Sequence, residues 1–405
     1  MVLQRDDHRD QAVLTFTRAD VDYLTGDVGA AALAEVAGFA LTDTSRIADV
    51  AAVRTKYGEH TTALVETTLL RRKAVIKFPG VDVANWLFTD AALQQATTSA
   101  VARHRAQRLT GAAVHDATCS IGTELVALAG TADAILGSDI DEVRLAMARH
   151  NLGPRVPLCR ADALHPISRD AVVLLDPARR SGDRRRFDPR AYQPPLDALA
   201  EVYRGRETVV KCAPGIDFAA VRALGFDGEI EVTSVGGSVR EACLWSPGLA
   251  GSGIRLRATV LDRGEQITDA DPHDCPAGPP GRWIVDPDGA IVRAGLVRHW
   301  AARHGLWQLD PDIAYLTGDR IPDGVRGFEI LEQVPVREKA LRQALSAQDC
   351  GSLEILVRGV DVDPDALRRR LRPSGGQALS IVITRIGTGS AARAVAFICR
   401  PSRNG

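Results

Sequence analysis

The stretch Val172-Val173-Leu174-Leu175-Asp176-Pro177-Ala178-Arg179-Arg180 decides the fold. Four consecutive apolar residues, two of them β-branched, suit a strand buried on both faces of a parallel sheet. The run ends in a lone carboxylate and a proline-stiffened turn, and arginines follow at once. Open α/β sheets bind ligands at the carboxyl ends of their strands, so Asp176 stands where a ligand is expected. An Asp-Pro turn is common by itself. Its weight comes from the segments before it.

Between residues 112 and 247 apolar runs alternate with helical stretches, the pattern of βαβ units. Strands are expected at residues 113–117, 134–139, 156–159, 172–176 and 208–212. Residues 229–234 and 241–245, joined through Gly236-Gly237-Ser238, are expected to form an antiparallel pair at the sheet's end. Before this region the pattern is helical, in Ala-rich stretches at residues 28–39 and 90–108 with a short strand at 73–78 between them. After it comes a linker at 248–253, a strand at 254–262, a Pro- and Gly-rich loop at 271–281 and a hairpin of residues 283–286 and 291–292 turning at Asp288-Gly289. A helix at 297–304 follows. The last part alternates again, with strands at 327–334, 353–357, 379–385 and 395–399 and helices at 337–345 and 365–371. The expected fold class is therefore α/β, divided as a helical region (1–108), a Rossmann-like domain (109–250), a β-rich connection (251–326) and an α+β module (327–405).

A chain of 405 residues has ample length for two or three domains. With 50 Lys+Arg against 51 Asp+Glu, no global field draws it to nucleic acid or membrane, so such binding has to come from local patches. Seven cysteines without a CxxC pair argue against a disulfide scaffold or a structural zinc site and fit a reducing cytoplasm; no metal is expected. No run approaches the roughly 18 apolar residues of a membrane span.

His115-Asp116-Ala117-Thr118-Cys119-Ser120-Ile121-Gly122-Thr123-Glu124 joins the first sheet strand to the first helix of the domain. Small residues there let a ligand approach the backbone, and the helix start offers free N–H donors. The full GxGxxG of a dinucleotide site is missing. Asp116 would repel a pyrophosphate and welcome a cationic amino-acid moiety, which favours an aminoacyl nucleoside over a nicotinamide dinucleotide; a helix cap is its plainer reading. Gly137-Ser138-Asp139-Ile140-Asp141 closes the second strand, where an acid about 20 residues on commonly holds a ribose diol. Asp141 reads as the cap of the next helix. Asp162, after the third strand, can accept from an exocyclic adenine amine. Acids after four strands of one sheet imply S-adenosylmethionine as the cofactor.

The series Asp116, Cys119, Gly122-Thr123, Gly137-Ser138-Asp139-Ile140-Asp141, Asp162 and Asp176-Pro177 resembles class I S-adenosylmethionine-dependent methyltransferases, especially RNA-modifying ones that carry THUMP domains. Gly351-Ser352-Leu353-Glu354-Ile355, Arg358-Gly359-Val360-Asp361-Val362-Asp363-Pro364 and residues 379–387 look like the THUMP-like domain paired with such enzymes. The resemblance implies cofactor contacts from Asp116, Thr118, Cys119, Gly122, Asp139, Ile140 and Asp162. It places Asp176 and Pro177 at the transfer site, with a base nitrogen of tRNA or rRNA as the acceptor. Two positions depart from the pattern: Ser120 stands where RNA enzymes often carry Gly, and Ala178 where a second Pro or an aromatic is usual.

A second chemistry competes. Cys212 after the fifth strand and Glu241, with Asp176-Pro177-Ala178-Arg179, resemble the trio of RNA uridine C5-methyltransferases, in which a Cys attacks the base and an acid later removes a proton. A buried, inert thiol is the plainer reading of Cys212, although Lys211 beside it could favour the thiolate. Arg179, Arg180, Arg184, Arg185 and Arg186 form a basic loop suited to RNA phosphates, or simply a solvated run of charges. A non-catalytic RNA-binding protein with a vestigial fold, and a methyltransferase of proteins or small molecules, complete the alternatives.

Overall fold

The computed structural model describes residues 15–179, 188–387 and 392–402, which divide into two compact units. The first comprises Met1–Phe226 with Leu244–Leu249. It opens with helices α1 (Arg18–Thr25), α2 (Asp27–Val36), α3 (Arg46–Tyr57), α4 (Thr61–Lys77), α5 (Asp90–Gln95) and α6 (Ser99–Arg108). Two expectations fail here. Residues 73–78 are no strand: Leu70, Ala74 and Phe78 follow at helical spacing and are all buried, so α4 runs through them and leaves Val75 and Ile76 exposed. The stretch 90–108 is two helices, because Ala96 and the cap residue Thr98 take extended backbone angles between α5 and α6.

The α/β part then follows as β1 (Ala113–Asp116), α7 (Thr123–Leu128), β2 (Ala134–Asp139), α8 (Glu142–Leu152), β3 (Leu158–Arg160) and β4 (Val172–Leu175). Two short strands, β5 (Ala178–Arg179) and β6 (Tyr192–Gln193), precede α9 (Leu196–Val202), β7 (Thr208–Cys212) and α10 (Phe218–Ala223). The sheet of this unit runs β7-β4-β1-β2-β3, and every neighbouring pair is parallel. The order reverses between β1 and β4, so the carboxyl ends of those two strands open a crevice at the switch point. Val172–Leu175 of β4 are all buried, as a strand covered on both faces must be. Leu244–Leu249 brings the chain back beside β7, where the Ser246 amide donates to the Thr208 carbonyl.

The second unit comprises Asp227–Cys243 with Ala250–Gly405. Strands β8 (Glu229–Val235) and β9 (Ser238–Trp245) are joined through Gly236 and Gly237, both at positive φ, the backbone of a two-residue type I′ turn. This hairpin is not a sheet's end. Beyond β8 lie β10 (Leu256–Val260), parallel to it, and β11 (Glu265–Thr268), antiparallel to β10. After β12 (Trp283–Val285) the expected second hairpin strand is instead helix α11 (Gly289–Arg293), started by the Asp288 carboxylate accepting from the Ala290 amide.

Helix α12 (Val297–His304), β13 (Trp307–Gln308), β14 (Leu316–Gly318), β15 (Gly327–Pro335), α13 (Glu338–Ala347), β16 (Cys350–Arg358), α14 (Pro364–Leu371), β17 (Gln377–Ile386) and β18 (Arg393–Pro401) complete the unit. Seven of its strands form one sheet, β13-β14-β12-β15-β18-β17-β16, antiparallel except for the β16–β17 pair that α14 connects. Helices α13 and α14 bury Leu341, Leu345, Leu367 and Leu371 against Ile381, Ile383 and Ile398 of this sheet. Among the described residues, no helix is long and apolar enough to cross a membrane.

Candidate functional site

The loop between β1 and α7 is folded around two carboxylates. Asp116, only 2% exposed, ends β1 and accepts from the Thr118 amide at 3.2 Å. Burial pushes its carboxyl up to about 8, and the charge of Glu124 adds to the shift. Asp139, at the end of β2, accepts from the Ser120 amide and the Asp141 amide, each at 2.8 Å. These two donors fix both of its oxygens at the strand end, while burial raises its carboxyl above the ordinary range. Ser120 has φ 51, in the left-handed region. That explains why Gly suits this position, and the Ser120–Asp139 hydrogen bond offsets part of the cost of about 1–2 kcal/mol.

The remaining expected cofactor residues line the same edge. The Cys119 amide donates to the Ser138 carbonyl at 2.9 Å, and its carbonyl accepts from Gly122, so it contributes backbone. Its thiol is buried, which pushes its pKa up and leaves it unreactive. Gly122, at φ 89, caps α7, and a Cβ there would meet the Leu152 side chain at 2.7 Å. Ile140 follows Asp139 with 61% of its surface exposed, unusual for so large an apolar residue. Asp162 is half-buried; it accepts from the Leu164 amide at 2.9 Å and faces His165 at 3.6 Å.

The turn after β4, where the acceptor was expected, is fastened from three directions. Thr118 uses its hydroxyl here, accepting from the Asp176 amide at 2.6 Å, so it braces one loop against the other. Pro177 is buried. Ala178 and Arg179 pair antiparallel with Gln193 and Tyr192. Tyr192, itself 2% exposed, accepts from the Ala213 amide at 2.9 Å and so ties this ladder to the end of β7. The lysine just before that end, Lys211, brings its ammonium 2.5 Å from Asp176 Oδ2 and 3.2 Å from Glu124 Oε1.

Glu124 in turn lies 2.6 Å from the Arg105 guanidinium of α6. Burial opposes its charge, but Arg105 and Lys211 together hold its carboxyl down to about 2. The sequence singled out Lys211 only as a neighbour of Cys212, and it did not bring Arg105, Glu124 or Tyr192 to this site. Alternation along β7 puts Lys211 and Cys212 on opposite faces, so the ammonium serves Asp176. Cys212 is buried, with its Sγ 3.9 Å from the Val210 carbonyl. Glu241 is buried in β9, in the second unit.

Of the arginines expected to contact RNA, Arg180, Arg184, Arg185 and Arg186 lie outside the described residues, and Arg179 is described through its backbone alone. A different basic feature stands in the second unit. Helices α13 and α14 and the loop after α14 enclose an open groove of about 1040 Å³. Its rim carries Arg342, Arg369, Arg370 and Arg372 against the acids Glu338 and Asp349. Arg342 is braced by Glu338 at 2.6 Å and by the Arg370 carbonyl at 2.8 Å. Among the described residues, no cluster of three or more His, Cys, Asp or Glu side chains could hold a metal ion.

Residues 325–401, which include this groove, match the family described as THUMP domain-like, and residues 17–74 match a domain of unknown function. Proteins from two strains of Mycobacterium tuberculosis, CDC 1551 / Oshkosh and H37Rv, are each named an uncharacterized S-adenosylmethionine-dependent methyltransferase. Each is 65% identical to this chain over 358 residues, covering 87% of the chain and 100% of the relative. The crystal structure of a putative methyltransferase from Porphyromonas gingivalis W83 superposes with a TM-score of 0.72 at 18% identity. That match covers 96% of this chain and 100% of the other, a likeness of fold.

Proposed function

The chain belongs to the S-adenosylmethionine-dependent methyltransferases, and on that premise we propose that it methylates RNA in the cytoplasm, at a base nitrogen presented to the Asp176-Pro177 corner. The observation that carries the reading is the state of Asp176. Its amide is fixed by Thr118, one carboxylate oxygen is fixed by Lys211, and its side chain is 39% exposed at the switch point of the sheet. Such a group can hold an acceptor N–H without itself becoming a nucleophile. As the nitrogen gains its methyl, the same carboxylate stands ready to take the departing proton.

The residues present fit the cofactor. Asp139 would hold the ribose diol, Asp116 would face the methionine ammonium, and Asp162 with Ile140 would border the adenine, ending the exposure of that apolar side chain. When bound, S-adenosylmethionine supplies an electrophilic methyl group on a sulfonium. The protein's part is positioning, which carries most of an in-line transfer.

RNA is favoured as substrate by the THUMP domain-like match and by the arginine-rimmed groove inside it, since guanidinium groups recognise phosphate bidentately. Covalent uridine chemistry through Cys212 and Glu241 draws no comparable support, because the Cys212 thiol is buried. Mass spectrometry of nucleosides from cells with and without the chain tests the proposal. A methylated base lost on deletion and restored by the wild type, but not by Asp176→Ala, is expected. An unchanged nucleoside profile would move the substrate to protein or small molecules.

A further inference from the structure

Four charged side chains run in series from the interior to the acceptor corner, and the chemistry above uses only the last. Arg105 is 1% exposed, Glu124 5% and Lys211 5%, whereas the Asp176 side chain is 39% exposed. The separations are 2.6 Å from Arg105 to Glu124, 3.2 Å from Glu124 to Lys211 and 2.5 Å from Lys211 to Asp176. Signs alternate along the series, so each buried charge lies beside opposite charges. Burying three ionised groups is expensive, and well-packed apolar residues of the same volume often serve a fold as well or better. A stabilising role alone therefore gives a weak account of Lys211.

The strand register gives a stronger one. Leu175 of β4 pairs with Val210 of the parallel strand β7, so the next residues along, Asp176 and Lys211, come out on one face side by side. Thr118 holds the Asp176 backbone, and Lys211 holds its Oδ2. Between them these contacts restrict the rotations that would let the carboxylate wander, while the Asp176 side chain stays 39% exposed. Glu124, anchored by Arg105, keeps the ammonium from following Asp176 outward.

We propose that Lys211, held by the Arg105–Glu124 pair, is a positioning residue for methyl transfer: it fixes one oxygen of Asp176 so that the other receives the hydrogen of the acceptor nitrogen. This rests on the reading of Asp176 as the acceptor residue. It gives Lys211 a role in orienting the substrate and none in activating Cys212.

The test uses the full chain, S-adenosylmethionine labelled in its methyl group, and a desalted extract of cells lacking the chain as the acceptor pool. Lys211→Ala is expected to lower the initial rate at saturating cofactor by at least about tenfold, while calorimetry finds cofactor affinity within about threefold of wild type. Propylammonium, which replaces the missing stem and charge, should restore part of that rate. Asp176→Asn should lose as much and gain nothing from the amine, and the double variant should fall no further than either single one. If Lys211→Ala does not fold, Lys211→Met, with the Arg105–Glu124 pair intact, carries the rate and affinity readings. A folded Lys211 variant with the wild-type rate, beside an inactive Asp176→Asn, would overturn the proposal alone. Wild-type rates in both variants, or no labelling by the wild type, would overturn the acceptor reading beneath it.

Discussion

Asp116 and Glu124 are both buried carboxyls close to Lys211, yet their surroundings drive them in opposite directions. Asp116 is pushed up to about 8 because no cation compensates it fully, whereas Glu124 is held near 2 by Arg105 and Lys211. An Asp in the unfolded chain titrates near 4. Between about 4 and 8 the folded form therefore keeps a proton on Asp116 that the unfolded form has lost, and stability from this group falls as pH rises through that window. Glu124 has the reverse sign, contributing stability above its unfolded value of about 4 and losing it as pH falls toward about 2. Asp116→Asn, neutral throughout, should flatten the decline in urea-unfolding free energy between pH 6 and pH 9. The same slope as wild type would show that Asp116 is already ionised at neutral pH. The sequence placed Asp116 and Asp139 on the ligand edge because each ends an apolar strand. It could not reveal the pairing of Glu124 with Arg105 and Lys211, since those side chains come from two helices and a strand far apart in the chain.

Among the elements, β4 carries the most weight for the site, because its burial fixes where Asp176 emerges. Leu174 is fully buried in the middle of the sheet. Leu174→Ala should cost about 2–5 kcal/mol of stability through lost transfer energy and the cavity left behind. Chemical denaturation measures it, and a loss well under 1 kcal/mol would mean that β4 does not sit at the centre of the core. This strand was legible because four apolar residues bounded by a charge and a proline admit few other readings. Residues 73–78 were not, because a short apolar run fits a strand or a helix equally, and continuation from α4 settled it. Residues 289–293 misled for a related reason: Asp288-Gly289 signals a hairpin turn, but the Asp288 carboxylate caps a helix instead.

At the scale of the whole molecule, the chain divides into two compact units, to which the proposal gives different parts of the function. The first holds the Asp176-Pro177 corner proposed for methyl transfer. The second holds the groove rimmed by Arg342, Arg369, Arg370 and Arg372, which could not be assembled from the sequence alone, because its walls come from two helices and a loop. If the groove binds RNA phosphates, replacing Arg369 and Arg372 together by Gln should weaken binding to single-stranded RNA and reduce its salt dependence by up to about two charge contacts. Fluorescence anisotropy across a salt series reads both, and unchanged affinity and slope would exclude the groove from RNA binding. The central claim, that this chain transfers a methyl group to RNA at Asp176, is tested most directly by incubating it with methyl-labelled S-adenosylmethionine and total RNA from cells lacking it. Nuclease-sensitive label deposited by the wild type and lost in Asp176→Ala, with cofactor affinity preserved, is the predicted result; equal labelling by both proteins, or label that only protease releases, would contradict it.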